Sequence, residues 1–416
     1  MMHAHDGIGV PPPLRHDEPV PEEDIHREAL LRARPRPNPR VHALGPNGID
    51  ARAAIVHDWF QGFHGSERVV DAMRAGLFAP ASAPDVFTFH AARELLPREL
   101  AESIVRESRL AALPGLRQRG HDPGRWRMLV PAMPHYFRGL DLDGYEVVIA
   151  SSHAFAVQVR PRSDAVFLCY CYTPIRWAWL PGEDRRSAAL APLLGWLRRL
   201  DLEASRRPDC YVAISQAVRE RIHRSYGRDS IVVHPPVNVE EFDPGAEKEP
   251  GHFLWVNRLV GYKRPAAVAE AFRHLPYRLT MVGIGPLEGS LRASLPPNVS
   301  LHSWLPREQL TALYARASGY LHVGEEDFGI SMVEALAAGT PVIGLARGGA
   351  LDIVRDGVDG VLVDRADPER IRAAVKRLAT QEWDRTALRA RAEEFSRERF
   401  LERLAAVIEQ IRPSAS

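Results

Sequence analysis

Between residues 318 and 336 the chain reads Ser318-Gly319-Tyr320-Leu321-His322-Val323, then Gly324-Glu325-Glu326-Asp327-Phe328-Gly329, then Ile330-Ser331-Met332-Val333-Glu334-Ala335-Leu336. The first run is short, apolar and strand-like, and the last reads as a helix. A strand, a glycine-bearing turn and a helix in that order form a βα unit of an α/β protein. The same signature recurs from Ala53 to Leu362, which predicts open parallel sheets with helices on their faces. In such sheets ligands bind outside the carboxyl ends of the strands. The turns that follow the strands are therefore where chemistry is sought.

Length then divides the sheet pattern in two. A chain of 416 residues exceeds one ordinary core and predicts two domains, the first opening on the βα turn of a Rossmann-like domain after the strand at Ala53. Hydrophobic residues at 45% and charged residues at 26% suit a globular enzyme, and a net charge of +1 gives no reason to expect nucleic acid. No apolar run approaches the roughly 20 residues of a membrane span, and no charged-then-apolar signal peptide opens the chain. Cys169, Cys171 and Cys210 lack a second ligand pair and read as buried free thiols of a reducing cytoplasm. Residues 1–50, with Pro11-Pro12-Pro13 and a run of arginines and prolines, read as a disordered leader, and His3 and His5 as solvated tail residues.

Several strand ends carry groups with chemical potential. Glu326 sits after the strand at 319–323, and Glu334 follows on the helix with seven residues between them. The amides of Gly329, Ile330 and Ser331 open that helix, offering free N–H groups and a partial positive charge. Two carboxylates beside an amide nest suit a polyhydroxylated, anionic ligand. Arg258 and Lys263 follow the strand at 252–257, where two cations could grip a diphosphate. His153 and Tyr172 end two successive strands of the first half. The loop from Gln61 to Ser66, with Gly62 and Gly65, opens a helix and lets backbone approach a phosphate. From Arg106 to Phe137, arginines including Arg117, Arg119 and Arg125 interleave with apolar and aromatic residues. That pattern fits either an anionic membrane surface or amphipathic helices packed on the domain.

The Glu326-x7-Glu334 block, continued by Gly339-Thr340-Pro341-Val342-Ile343 and Gly348-Gly349-Ala350-Leu351, resembles the retaining glycosyltransferases of family 4, with their GT-B architecture. Within that family it is similar to the bacterial mannosyltransferases of O-antigen and exopolysaccharide synthesis. There the second strand end often carries a histidine where Tyr172 stands, and across the family the first loop often reads Gly-Gly-Ala/Ser-Glu, with His64 here in place of the first glycine. After the leader over 1–50, the resemblance implies an acceptor domain of Rossmann type over 51–243 and a nucleotide-sugar domain of the same type over 244–390, facing across a cleft, with residues 391–416 crossing back as a helix and tail. It implies that Arg258 and Lys263 neutralise the leaving diphosphate and that Glu334 holds the ribose hydroxyls. Glu326, with Gly329, Ile330 and Ser331, would orient the sugar. His153 would meet the sugar near its reacting carbon, Gly65 the phosphates, and Leu305 the nucleobase. GDP-mannose is the first expected donor, a glycan or polyprenyl-linked molecule the acceptor, and cell-surface polysaccharide the product. UDP-glucose or UDP-galactose acting on a soluble acceptor is the alternative, followed by a glycan phosphorylase or hydrolase and by a non-catalytic sugar-nucleotide scaffold. No Asp-x-Asp element stands where a metal would bind, so neither metal nor other cofactor is expected. The expected location is the cytoplasm, with peripheral contact at the inner membrane face.

Overall fold

The computed structural model describes residues 48–113, 125–179 and 191–412. The expectations for the leader before residue 48, for His3 and His5, and for Arg117 and Arg119 fall outside these residues. Ile49, just inside the described chain, is already buried and accepts a hydrogen bond from Ala79 N at 2.9 Å.

Two parallel sheets carry the fold. The first contains β1 (Ala53–His57), β2 (Asp85–Thr88), β3 (Ile104–Arg106), β4 (Val147–Ser152), β5 (Val166–Cys171), β6 (Cys210–Ala213) and β7 (Ile231–Val232), in the order β3-β2-β1-β4-β5-β6-β7. The second contains β8 (His252–Val256), β9 (Arg278–Val282), β10 (Val299–His302), β11 (Gly319–His322), β12 (Val342–Leu345) and β13 (Gly360–Val363), in the order β10-β9-β8-β11-β12-β13. The strand order reverses between β1 and β4 and again between β8 and β11. These are the two switch points, where helices leave in opposite directions and a crevice opens at the strand carboxyl ends. Strands β1, β4 and β5 are buried along their whole length, because helices cover both faces.

The helices that matter for the site are α1 (Gly65–Gly76), α2 (Ala191–Ala204), α3 (Gln216–Tyr226), α4 (Pro265–Phe272), α5 (Arg307–Arg316), α6 (Ile330–Ala337), α7 (Ala350–Ile353), α8 (Pro368–Thr380), α9 (Arg385–Glu393) and α10 (Arg397–Ile411). Ser215 caps α3 as its sequence position predicts, its Oγ accepting from Val218 N at 3.2 Å. Helix α6 is buried from Met332 to Ala337, and its apolar faces join a core that continues into the first lobe. Helix α10 crosses back to the first sheet, where Phe400 packs edge-on against Tyr170 of β5 at 5.7 Å. Phe400, Leu404, Val407 and Ile408 are all buried there, each contributing roughly 1.5–3 kcal/mol. The crossing starts at Arg397, capped by Ser396, because α9 ends at Glu393 and the chain turns before α10.

Where it is described, the segment after Arg106 is not a set of amphipathic helices. Its described parts are 3-10 turns at Arg109–Ala112 and Trp126–Ala132 and a short helix at Met133–Arg138. Pro131 lies inside the second turn, where it removes a backbone donor. Met133 and Phe137 face the core, and Tyr136 donates to Thr88 O at 2.8 Å. Leu110, Leu113 and Met128 are exposed.

Candidate active site at the two switch points

In the second lobe the switch point brings together the ends of β8 and β11. Asn257 N donates to Val282 O at 3.1 Å and Leu259 N to Ile284 O at 2.9 Å, so the loop after β8 runs against the turn after β9. Gly283 permits that approach, since a side chain there would collide with Asn257 O. Lys263 closes a single 3-10 turn, Gly261–Lys263, just before Pro265 starts α4. The turn sends Lys263 inward, where it is buried and its Nζ pairs with Glu326. Burial lowers its pKa, while the Glu326 carboxylate pulls it back up. Arg258 stays exposed in the same loop.

Glu326 lies on the turn between β11 and α6. Gly349 N donates to its carbonyl at 2.9 Å, which fastens the turn to the Gly348-Gly349 loop. Gly329 caps α6 in a left-handed conformation, φ 105°, that favours glycine. Ser331 turns its hydroxyl back to His322 Nδ1 at 3.1 Å. Glu334 is buried one turn further along α6, with Arg307 Nη1 at 3.1 Å and Arg68 Nη1 at 3.9 Å from its Oε1. Leu305 is half-buried in the loop after β10, beside Trp304, which is 73% exposed.

The first lobe meets this assembly with its own strand ends. Gly65 begins α1, and a Cβ built on it would lie 3.3 Å from Ile330 Cδ1, so the glycine loop leans on the start of α6. His64 fits the position before it, its N–H donating to Glu67 Oε2 at 3.2 Å. Between the lobes lies a cavity of about 230 Å³ whose lining includes Phe63, Arg68, Glu241, Arg307 and Ile330. At the β1/β4 switch point His153 stacks edge-on to Trp59 at 4.5 Å and keeps a quarter of its side chain exposed. Tyr172 shares a hydrogen bond with Ser151 Oγ at 3.0 Å and donates to Ser66 O at 3.1 Å, tying β5 to the glycine loop. His57 behind them is buried, and loss of water with His153 nearby lowers its pKa to about 4, leaving it neutral.

The structure thus collects Lys263, Glu326, Gly329, Ile330, Ser331 and Glu334 around α6, brings Gly65 against them, and places Arg258 and Leu305 on neighbouring strand-end loops. His153 stands at the switch point of the other lobe. Sequence reasoning missed Arg307 and Arg68, which read as surface charge on helix first turns. It also missed Asp327, whose Oδ1 receives Arg221 Nη1 at 2.6 Å from the first lobe. Arg221 Nη1 also reaches Thr173 Oγ1 at 2.7 Å. Among the described residues no group of three or more His, Cys, Asp or Glu side chains could hold a metal ion.

Two lobes of parallel sheet with matching strand order, their switch points turned to one interlobe crevice, define the GT-B class of glycosyltransferase folds. The family model "Glycosyltransferase Family 4" matches residues 63–241, and "Glycosyl transferases group 1" matches residues 237–399. The chain belongs to glycosyltransferase family 4. It is 29% identical, over 52% of its own length, to a D-inositol 3-phosphate glycosyltransferase of Catenulispora acidiphila. It is 32% identical, over 36% of its length, to a GDP-mannose-dependent alpha-mannosyltransferase of Corynebacterium glutamicum. The matches span 59% of the first relative and 37% of the second. The crystal structure of Anabaena HepE in complex with UDP-glucose superposes with a TM-score of 0.61 over 86% of this chain and 100% of that one, at 15% identity.

Proposed function

We propose that the protein is a retaining hexosyltransferase that moves mannose from GDP-mannose to a glycan or polyprenyl-linked acceptor of cell-surface polysaccharide synthesis. One observation carries the reading: Lys263 and Glu326 meet across the β8/β11 switch point, beside the first amides of α6 and one turn from Glu334. A nucleoside diphosphate sugar needs hydroxyl acceptors for its ribose and for its sugar, with cations and amides for the diphosphate between them. Its diphosphate takes Lys263 from Glu326 and meets Arg258 and the α6 amides, which releases the Glu326 carboxylate to accept sugar hydroxyls. Charge grows on the diphosphate as the bond from C1 to its oxygen breaks, and preorganised donors are worth most there. The acceptor oxygen attacks the same face of C1, and its proton passes to the departing phosphate oxygen. A carboxylate nucleophile is the other route to retention. The carboxylate beside His153, Asp58, is buried and occupied by backbone amides, which favours the front-face route.

The Corynebacterium relative supports mannose and guanosine. The Anabaena structure shares the fold, and UDP-glucose is kept as the second donor on that ground. The exposed Leu110, Leu113 and Met128 support a lipid-linked acceptor, approached at the cytoplasmic membrane face. No helix among the described residues is long and apolar enough to cross a membrane. The test is incubation with a panel of labelled nucleotide sugars, reading binding and donor hydrolysis. GDP-mannose should be hydrolysed fastest. A panel in which no nucleotide sugar binds removes the donor assignment.

A further inference from the structure

Asp58 follows the last residue of β1 and is fully buried. A carboxylate out of water is costly unless hydrogen bonds replace its hydration. Four consecutive backbone amides do so. Oδ2 accepts from His153 N at 2.7 Å and Ala154 N at 3.0 Å. Oδ1 accepts from Phe155 N at 2.5 Å and Ala156 N at 2.7 Å. The donors come from the turn after β4, so one side chain of β1 folds the neighbouring strand's loop around itself. Both oxygens are met by amide donors, the arrangement that suits a carboxylate, which only accepts.

The same Oδ2 lies 3.4 Å from Nδ1 of His153. A carboxylate only accepts, so a proton on the nitrogen that faces it is favoured over a lone pair there. In a neutral imidazole the other nitrogen is then bare. Trp59 against the ring face-to-edge, 86° between planes, limits ring rotation. His57 next door is fixed differently. Its Nδ1 lies 3.0 Å from the Ser151 carbonyl, an acceptor, and the ring is enclosed. Of the two histidines at this switch point, only His153 has a nitrogen directed away from its holder on a ring that reaches solvent.

We infer that Asp58 is a positioning residue that holds His153 as the Nδ1–H tautomer, so that Nε2 accepts a hydrogen bond from a hydroxyl of the transferred hexose. The inference rests on the reading of His153 as the sugar contact. It makes the site selective for a donor sugar with a free hydroxyl at that place. A deoxy or O-methyl group there leaves Nε2 without a partner.

The first measurement is the ¹⁵N spectrum of histidine-labelled wild-type protein, with the His153 signals assigned by their loss in His153→Gln. Protonated Nδ1 with bare Nε2 is expected. The opposite tautomer overturns the inference, and needs no Asp58 variant to be seen. The second is a kinetic cycle of Asp58→Asn, His153→Ala and the double variant, each checked for native melting. Asp58→Asn should lower turnover about 10- to 100-fold, the range known for losing the partner that orients a metal-bound histidine. It should lower turnover little further once His153 is gone. An equal loss in the His153→Ala background makes Asp58 merely structural and sinks the proposal. Wild-type turnover in His153→Ala alone overturns the sugar contact, whatever the tautomer.

Discussion

Lys263 and Arg258 are five residues apart and occupy different environments. Lys263 is buried against Glu326, whereas Arg258 stands in solvent. Replacing Lys263 by alanine leaves Glu326 without its cation, and replacing Arg258 leaves nothing buried behind. Both variants should lose turnover by roughly 30- to 1,000-fold, the effect of about 2–4 kcal/mol at a charge-stabilising contact. Lys263→Ala should also melt lower than Arg258→Ala, because an uncompensated buried charge destabilises the fold. Single-turnover rates and thermal melts of the two proteins decide it, and wild-type rates in either folded variant would remove its diphosphate role. The placement of these residues was legible because both lie in the loop that follows a strand, within a few positions of Gly261. Asp58 follows its strand directly, yet its purpose was not legible. Its partners are backbone amides 95 to 98 residues away, and backbone leaves no residue-type signal.

Helix α3 is held by the second lobe at two points. Asp352 Oδ2 accepts from Gln216 N at 2.8 Å and meets His234 Nε2 at 2.9 Å. Asp327 takes Arg221. Asp327 is the neighbour of Glu326, and Arg221 also touches Thr173 beyond β5, so one guanidinium joins the donor turn of one lobe to a strand-end loop of the other. Arg221→Ala, Asp327→Ala and their double variant should show a coupling of about 0.5–3 kcal/mol in unfolding free energy. Strictly additive effects would mean that the two side chains do not meet in solution. The strands on either side were legible from their unbroken apolar runs. The elements after Arg106 were not, because arginines mixed with apolar residues suit a helix, a membrane surface or a string of turns equally. Pro131 tips the balance toward a turn, whereas Pro134 sits in the first turn of the short helix, where proline is tolerated.

At the scale of the whole molecule, a ligand that binds the native state alone must raise the melting temperature. GDP-mannose should do so more than UDP-glucose, and a melting temperature indifferent to both would sink the donor reading. Transfer should survive EDTA, since the cations proposed for the diphosphate belong to the protein; loss restored by magnesium or manganese would refute this. Asp201 of α2 gives the fold a pH dependence. It accepts from Trp179 Nε1 at 2.7 Å and Tyr226 OH at 2.8 Å, and burial raises its pKa from 3.8 to about 7. Between those values the folded chain keeps a proton that the unfolded chain has released, so this group's contribution to stability falls as pH rises and levels off above about 7. Asp201→Asn should therefore gain on wild type in melting temperature between about pH 4 and about pH 7. A gap that stays constant would place the titration elsewhere. Helix α10 bears on how the molecule is made. Its Phe400 completes the packing around β5, whose residues precede it by more than two hundred positions. On the ribosome the first sheet is therefore translated early and remains short of one wall until residue 411 is clear of the exit tunnel. During that interval the face of β5 is open to chaperones or to mispairing, and the lobe made first is the last to be finished.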